Sequence, residues 1–267
     1  MKLKIAVAQI KIDILNSENM FNKIESFLKK ASGKANIIVF PEYTISWNFI
    51  NQNNNFTKRF CELAKKYRID IVTGSMLDKQ NNKTYNTALY IDSSGRIRGT
   101  YRKINLWHTE ASNIAFGNEI CVFNTKYGKI GLVICWDLVF PELYRAMVKE
   151  GVKIVICPAF WDNKDISNVG IKYNYNAEKT FIDGCCISRA CENEIIHVFC
   201  NAAGSVKNGR KKYTLVGHSQ ITAPFKGILN KINSNKEAIF IQKVNTKILS
   251  DAEKGYNIRK SLKRAYH

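Results

Sequence analysis

The sequence is poor in proline and glycine, with 4 prolines and 15 glycines in 267 residues. This composition excludes collagen-like and low-complexity chains, which are rich in both residues. Hydrophobic residues make up 45% of the chain and charged residues 24%, as in ordinary globular proteins. A chain of this length can bury a core large enough to fold without disulfides or a metal ion. We see no internal repeat and no linker, so we expect a single domain over residues 1–267.

Secretion signals and membrane-spanning runs are also lacking. The apolar run at residues 5–10 is interrupted by a glutamine and is soon followed by Lys11 and Asp13. A secretory signal has a longer apolar region that ends near small residues. The apolar run at residues 130–136 is far shorter than the roughly 20 residues that span a bilayer. We therefore predict a cytoplasmic protein with no membrane segment.

The eight cysteines include no C-x-x-C pair. Without a secretory context, most of them are expected to be reduced, buried thiols rather than a disulfide framework. The spacing of cysteine and histidine matches no zinc-binding pattern, so no metal site is predicted.

Acidic residues are scarce relative to basic ones: 22 Asp+Glu against 41 Lys+Arg give a formal charge of +19. Such a charge attracts anionic partners, including nucleic acids. The sequence contains no zinc finger, no aromatic RNA-binding stripe and no continuous basic helix. We interpret the positive charge as solvated surface and expect no nucleic-acid partner. A basic binding protein without catalytic activity is the alternative.

Short apolar segments alternate with amphipathic ones along the chain, which predicts a layered α/β fold. Two apolar strands, residues 37–40 and 153–157, lack a polar face and should be covered on both sides. Strands are predicted at residues 4–10, 35–40, 69–75, 86–91, 97–103, 120–125, 130–135, 153–157, 195–200, 219–223 and 238–244. Helices are predicted at residues 17–33, 56–67, 141–150 and 172–189.

Cys135 lies where the predicted strand 130–135 ends, shortly before a helix that begins at Pro141. In α/β folds, functional sites tend to form at the carboxyl ends of strands. The turn leaves backbone N–H groups free, and these can favour a thiolate or bind a developing oxyanion. Cys135 is therefore a candidate nucleophile, although a cysteine at a strand end is also a common core residue.

Two more strand ends carry ionisable residues. Glu42 follows Pro41 directly after a buried strand, where partial loss of water can raise the pKa of a carboxyl group toward that of a general base. Lys103 ends another predicted strand, and Glu110 follows seven residues later. Taken singly, Glu42 could be a helix cap and Lys103 one of many surface lysines.

Together these segments resemble the motifs of the nitrilase superfamily, also called the carbon–nitrogen hydrolases. The family patterns FPE, YRK-x-x-L and IC-x-D-x-x-FPE are matched at residues 40–42, 101–106 and 134–142, and Glu110 lies where many members carry a second glutamate. Further matches occur at residues 189–193, 201–204, 217–221 and 264–266. The resemblance covers nearly the whole chain.

The resemblance implies a four-layer α-β-β-α sandwich that pairs across helices into a homodimer or higher homo-oligomer. The C-terminal tail, about residues 245–267, would lie at the dimer interface. Members of the family need neither a metal ion nor an organic cofactor.

The resemblance also implies a mechanism with a Glu-Lys-Cys triad. Glu42 takes the proton of Cys135, and the sulfur attacks the substrate carbon. Lys103 and the backbone N–H of Trp136 hold the oxyanion, and water then hydrolyses the thioester. Glu110 would orient the substrate nitrogen or hold Lys103 in place.

The residues beside the nucleophile bear on the substrate. True nitrilases typically carry Cys-Trp-Glu, whereas residues 135–137 are Cys-Trp-Asp, more like amidases and N-carbamoyl-amine hydrolases. We therefore predict hydrolysis of a small linear amide or N-carbamoyl compound, with nitrile hydrolysis as the alternative. Many omega-amidase-like members have arginine at the position of Val139, so a dicarboxylate half-amide is disfavoured.

Three aromatic residues are predicted to contact the substrate. Trp136 follows the candidate nucleophile, and Phe160 and Trp161 follow a predicted strand where relatives place substrate-contacting residues. Core packing of Trp161 is the alternative.

Overall fold

Two six-stranded β-sheets are stacked and flanked by helices in the computed structural model, which describes residues 2–45 and 53–265. The strands are β1 (Lys2–Gln9), β2 (Ile37–Val39), β3 (Asp70–Gln80), β4 (Lys83–Ile91), β5 (Ile97–Arg102), β6 (Cys121–Thr125), β7 (Gly128–Leu132), β8 (Ile154–Ala159), β9 (Ile196–Asn201), β10 (Ser205–Asn208), β11 (Lys211–Thr214), β12 (Gln220–Ala223), β13 (Gly227–Lys231) and β14 (Ala238–Asn245). The helices are α1 (Ser17–Ala31), α2 (Asn53–Tyr67), α3 (Pro141–Lys149), α4 (Ser167–Tyr173), α5 (Ala177–Asn193), α6 (Lys247–Gly255) and α7 (Ile258–Ala265).

The two sheets have matching arrangements. The first has the order β14-β1-β2-β3-β4-β5 and the second the order β13-β12-β9-β8-β7-β6. In each sheet three central strands are parallel: β1, β2 and β3 in the first, and β7, β8 and β9 in the second. Antiparallel strands complete both edges.

Strand β1 shows why the layers form. Ile5 and Val7 belong to the core cluster that also contains residues of β7, β8 and β9, so this face of β1 packs toward the second sheet. Ala6 and Ala8 belong to the cluster that contains the buried faces of α1 and α2. Because successive side chains of a strand point to opposite faces, an apolar strand is buried between a sheet and a helix layer. The predicted α-β-β-α sandwich is confirmed.

Helix α1 follows the pattern predicted from its sequence. The side chain of Asn16 caps it by accepting a hydrogen bond from the backbone N–H of Asn19 at 3.0 Å. Met20, Ile24 and Leu28 are buried on one face, as their spacing of four residues predicts.

The predicted helix at residues 172–189 is wrong as a single element. The chain forms α4 and α5 instead, because Asn174 has an extended backbone and its side chain accepts a hydrogen bond from the N–H of Asn176 at 2.9 Å. An asparagine that bonds to nearby backbone competes with the helix. The hairpin β10–β11 and the strand β13 were not predicted.

The C-terminal tail forms α6 and α7 and packs on its own chain. Arg259 donates from Nε to the carbonyl oxygen of Asn193 at 3.2 Å, and Lys153 pairs with Glu253 at 2.5 Å. Residue 266, the last of the predicted motif match at residues 264–266, and residue 267 lie outside the described residues. Within residues 2–45 and 53–265, no helix is both long and apolar enough to cross a membrane.

Candidate active site

Three strand ends from the two sheets meet at one buried place. Glu42 follows β2 and Lys103 follows β5 on the first sheet, while Cys135 follows β7 on the second. The N–H of Glu42 donates to the carbonyl oxygen of Ala159, at the end of β8, at 3.2 Å, which ties the two sheets together beside the site.

Lys103 lies between two carboxylates. Its Nζ is 2.9 Å from Oε1 of Glu42 and 2.7 Å from Oε2 of Glu110. The side chains of Lys103, Glu42 and Glu110 are 1%, 2% and 11% exposed. Such groups are stable inside a protein only when they are paired and hydrogen-bonded, so this is a built ionic cluster and not a set of surface charges.

The two glutamates differ in proton affinity. Burial raises the pKa of Glu42, and the positive charge of Lys103 only partly offsets this effect. Burial also raises the pKa of Glu110, but Lys103 and the hydrogen bond from Tyr43 outweigh it and lower the pKa overall. For Lys103, burial lowers the pKa, but the two carboxylates raise it well above its usual range. Glu42 is therefore the member of the cluster suited to exchange a proton.

Cys135 begins a short 3-10 helix, Cys135–Val139, and does not end the strand as predicted, since β7 ends at Leu132. Its φ angle of 47° is rare for a residue other than glycine and reflects a strained turn. Burial raises the pKa of its thiol well above the usual value, and the charge of Glu42 adds to this. The thiol is therefore neutral at rest and needs a base.

The carboxyl group of Glu42 lies beside this thiol. Its charge helps to raise the pKa of Cys135, and the interaction with Cys135 in turn lowers the pKa of Glu42. The backbone N–H of Phe160 donates to Oε2 of Glu42 at 2.8 Å and also lies against the sulfur of Cys135. One backbone group thus fixes the carboxylate and the thiol relative to each other.

Asp137 connects the turn at Cys135 to the segment after Lys103, a role that the sequence did not indicate. It accepts hydrogen bonds from the N–H of Ile134 at 2.9 Å, the hydroxyl of Tyr101 at 2.7 Å, and the N–H of Asn105 at 2.8 Å. Its place in the pattern IC-x-D was the available signal.

Two other residues of the site were missed in the sequence. Tyr43 donates its hydroxyl hydrogen bond to Glu110, and Asn86 on β4 donates to both Glu42 and Glu110. Tyr43 follows Glu42 directly, and Asn86 is a polar residue at the start of an apolar strand, so only weak signals marked them.

Aromatic rings line one side of the cluster. The ring of Trp136 lies 4.5 Å from that of Trp107 and 5.6 Å from that of Trp161. The ring of Phe160 lies 5.9 Å from that of Tyr43. Trp136 and Phe160 are partly exposed, whereas Trp161 is 1% exposed. Substrate contact by these residues stays a prediction.

Acidic side chains follow the aromatic ones. Asp162 comes directly after Trp161 and Asp165 three residues later, and the indole Nε1 of Trp161 donates to Oε2 of Glu178 at 2.7 Å. Burial raises the pKa of all three carboxyl groups, that of Asp165 to about 7, and the nearby charge of Glu42 adds to the effect at Asp165. The surroundings of this part of the site are therefore unfavourable to negative charge.

No cluster of His, Cys, Asp and Glu that could hold a metal ion is present among the described residues.

Curated relatives align with this chain over most of its length. A probable nitrilase of Schizosaccharomyces pombe is 28% identical over 96% of this chain and 93% of its own. An omega-amidase of Danio rerio is 24% identical over 97% and 94%, and a deaminated glutathione amidase of Dictyostelium discoideum is 28% identical over 82% and 80%.

Solved structures share the fold. A carbon-nitrogen hydrolase from Helicobacter pylori G27 superposes with a TM-score of 0.85 at 21% identity, covering 97% of this chain and 95% of the other. A variant of the amidase from Nesterenkonia sp. AN1, with the acetamide moiety of fluoroacetamide covalently added at its active-site cysteine, gives 0.77 at 18% identity, covering 99% and 97%. The sequence model of the carbon-nitrogen hydrolases matches residues 4–252. The chain therefore belongs to the carbon-nitrogen hydrolase family, within the nitrilase superfamily.

Proposed function

We propose that this protein hydrolyses a carbon–nitrogen bond of a small linear amide or N-carbamoyl compound through a thioester on Cys135. The observation that carries the proposal is the buried ion pair of Glu42 with Lys103 at 2.9 Å, close enough to Cys135 for the charge of Glu42 to raise the pKa of the thiol. A nucleophile, a base with a raised pKa and a fixed cation are the three groups that acyl transfer requires.

The first half-reaction forms the thioester. Glu42 takes the proton from the sulfur of Cys135 as the sulfur attacks the carbonyl carbon, and the carbonyl electrons move to the oxygen. Lys103 and the backbone N–H of Trp136 stabilise this oxyanion, which in a dry site is worth several kcal/mol. The carbonyl then re-forms, the carbon–nitrogen bond breaks, and Glu42 passes its proton to the departing ammonia or amine.

The second half-reaction uses the same groups. Glu42 takes a proton from water as the water oxygen attacks the thioester carbon. The second oxyanion collapses, the carbon–sulfur bond breaks, and the sulfur of Cys135 recovers the proton from Glu42. The acid is released and the site returns to its starting state.

Glu110 is proposed to hold Lys103 in place and not to exchange protons. Its pKa is lowered, so it keeps its negative charge near neutral pH. Its Oε2 accepts both from Lys103 at 2.7 Å and from the backbone N–H of Trp107 at 2.7 Å, which fixes its direction.

The surroundings of the site favour a neutral substrate. Partly exposed Trp136 and Phe160 offer apolar contact, and the raised pKa values of Asp162 and Asp165 show that negative charge is disfavoured in this region, which would include a carboxylate tail. This agrees with the absence of an arginine at Val139. Nitrile hydrolysis is the second candidate, supported by the likeness to a probable nitrilase.

The proposal is tested by intact-protein mass spectrometry. The wild type and Cys135→Ala are mixed with small amides, ureido acids and nitriles, and ammonia release is measured in parallel. We expect a mass adduct on the wild type alone, whose size identifies the acyl half of the substrate. An adduct that persists on Cys135→Ala would contradict the thioester on Cys135. No adduct and no ammonia across the panel would contradict the proposal and favour a binding protein.

We also propose that the chain forms a homodimer. Helices α4 and α5 expose Val169, Tyr173 and Phe181 (67%, 89% and 40% exposed), a set of apolar residues that a partner would cover. Sedimentation equilibrium should give twice the monomer mass of 30.5 kDa. A monomer at micromolar concentration would contradict this proposal.

A further inference from the structure

We infer that Asn86 is a positioning residue, which holds Glu42 and Glu110 at fixed places around Lys103 so that Glu42 can exchange its proton without leaving the cluster. The inference rests on the proposed function, because it assigns a part in the same reaction to a residue outside the triad.

Asn86 contacts every ionic member of the cluster. Its Nδ2 donates to Oε1 of Glu42 at 2.8 Å and to Oε1 of Glu110 at 3.2 Å. Its backbone carbonyl accepts a hydrogen bond from the N–H of Lys103 at 2.9 Å. The residue lies on β4 and is 0% exposed. Side chain and backbone of one strand residue therefore set the positions of three charged groups.

The contacts close a ring. Lys103 bridges the two glutamates through Nζ, and Asn86 bridges the same two glutamates through Nδ2. Lys103 is the charged bridge and Asn86 the neutral one. Because Asn86 remains bonded to both carboxylates, they stay in place when Nζ of Lys103 turns toward a substrate oxygen.

The orientation of the amide is imposed by its neighbours. Within the described part of the chain, Oδ1 of Asn86 is buried and has no hydrogen-bond partner. A buried carbonyl oxygen without a donor costs free energy, and such a group in a native protein calls for an explanation. Turning the amide over would direct Oδ1 at two carboxylate oxygens, and because all three are acceptors, both hydrogen bonds would be lost. The two glutamates thus decide which way Asn86 faces.

The uncharged amide of Asn86 affects the pKa of Glu42. Lys103 and Glu110 keep their opposite charges, while Glu42 must gain and lose a proton in each half-reaction. The Nδ2 of Asn86 donates to Glu42 at 2.8 Å, and such a donor stabilises the ionised form of a carboxyl group. Burial already raises the pKa of Glu42, so removing the donor should raise it further. Since the base must be ionised to act, the acidic limb of the profile of kcat/KM against pH should then move to higher pH.

The test compares Asn86→Leu, which has a similar shape and no donor, with Asn86→Ala and with Thr87→Val. Thr87 is the matched control, because it is a buried polar residue of the same strand whose side chain points to the opposite face. At neutral pH, we expect both Asn86 variants to lose about 10- to 100-fold in kcat/KM and to shift the acidic limb upward by about one pH unit. Thr87→Val should keep the wild-type profile.

A second measurement does not depend on turnover. Carboxyl carbons of glutamate are labelled with carbon-13, the signal of Glu42 is assigned by its loss in Glu42→Gln, and its titration is followed in the wild type and in the Asn86 variants. A higher pKa of Glu42 in these variants supports the inference, whether or not a panel substrate is turned over. A lack of turnover would count only against the proposed function. An unshifted titration and acidic limb, or activity within about threefold of the wild type, would overturn the inference.

Discussion

Replacing Cys135 by serine is expected to lower kcat/KM at least about 1,000-fold while the fold is retained. An alcohol is a much weaker acid than a thiol, and this site already disfavours ionisation, since burial raises the pKa of the Cys135 thiol well above its usual value. Glu42 can serve as base for sulfur only because the anion formed is polarizable and reacts as it forms. The hydroxyl would retain the shape of the thiol without its reactivity.

The control for this variant is Cys61→Ser. Cys61 lies on α2, is partly exposed, and belongs to a helix layer outside the site. It should keep the activity and the thermal unfolding midpoint of the wild type. If Cys135→Ser retained more than about a tenth of the wild-type kcat/KM, Cys135 would not be the nucleophile.

The second large effect is expected at Lys103. Lys103→Gln should lower kcat about 100- to 1,000-fold, because the oxyanion loses a charged donor. It should also lower the free energy of unfolding by about 3–5 kcal/mol near neutral pH, because two buried carboxylates would lose the cation that lies between them. Lys103→Arg keeps the charge but changes the donor geometry, so it should lose turnover and keep more of the stability.

Urea unfolding and steady-state kinetics check both effects. The matched control is Lys23→Gln, which breaks an ion pair of 2.7 Å with Glu237 in which the side chains are 26% and 41% exposed. Exposed pairs contribute at most about 1 kcal/mol, so Lys23→Gln should be nearly as stable as the wild type. Equal stability of Lys103→Gln and Lys23→Gln, together with unchanged kcat, would remove Lys103 from the proposed mechanism.

Much of the layered fold could be predicted because it depends on local pattern. Met20, Ile24 and Leu28 have the spacing of one helix face, and strands without a polar side require cover on both faces. The grouping of Glu42, Lys103 and Cys135 was expected only from the resemblance to the family, because their strands belong to two sheets and β5 pairs antiparallel with its neighbour. The chain's formal charge of +19 gave no indication that the site itself would be lined by carboxyl groups.

The elements that were missed depend on distant contacts. The hairpin β10–β11 packs through Tyr213, whose ring lies 5.7 Å from that of Phe160. The break between α4 and α5 depends on a single asparagine side chain. Asn86 has an ordinary local sequence, and its importance comes from Glu42, 44 residues away. A motif marked Asp137, but its hydrogen bond to Asn105, 32 residues away, depends on the fold.

The residue types at the strand ends can be read directly from the chain: a glutamate after β2, a lysine after β5 and a cysteine after β7. The higher proton affinity of Glu42 and the retained charge of Glu110 arise only from folding. The physical reason is that a pKa depends on loss of water and on neighbouring charges. Both are fixed only when two sheets close over the same three side chains.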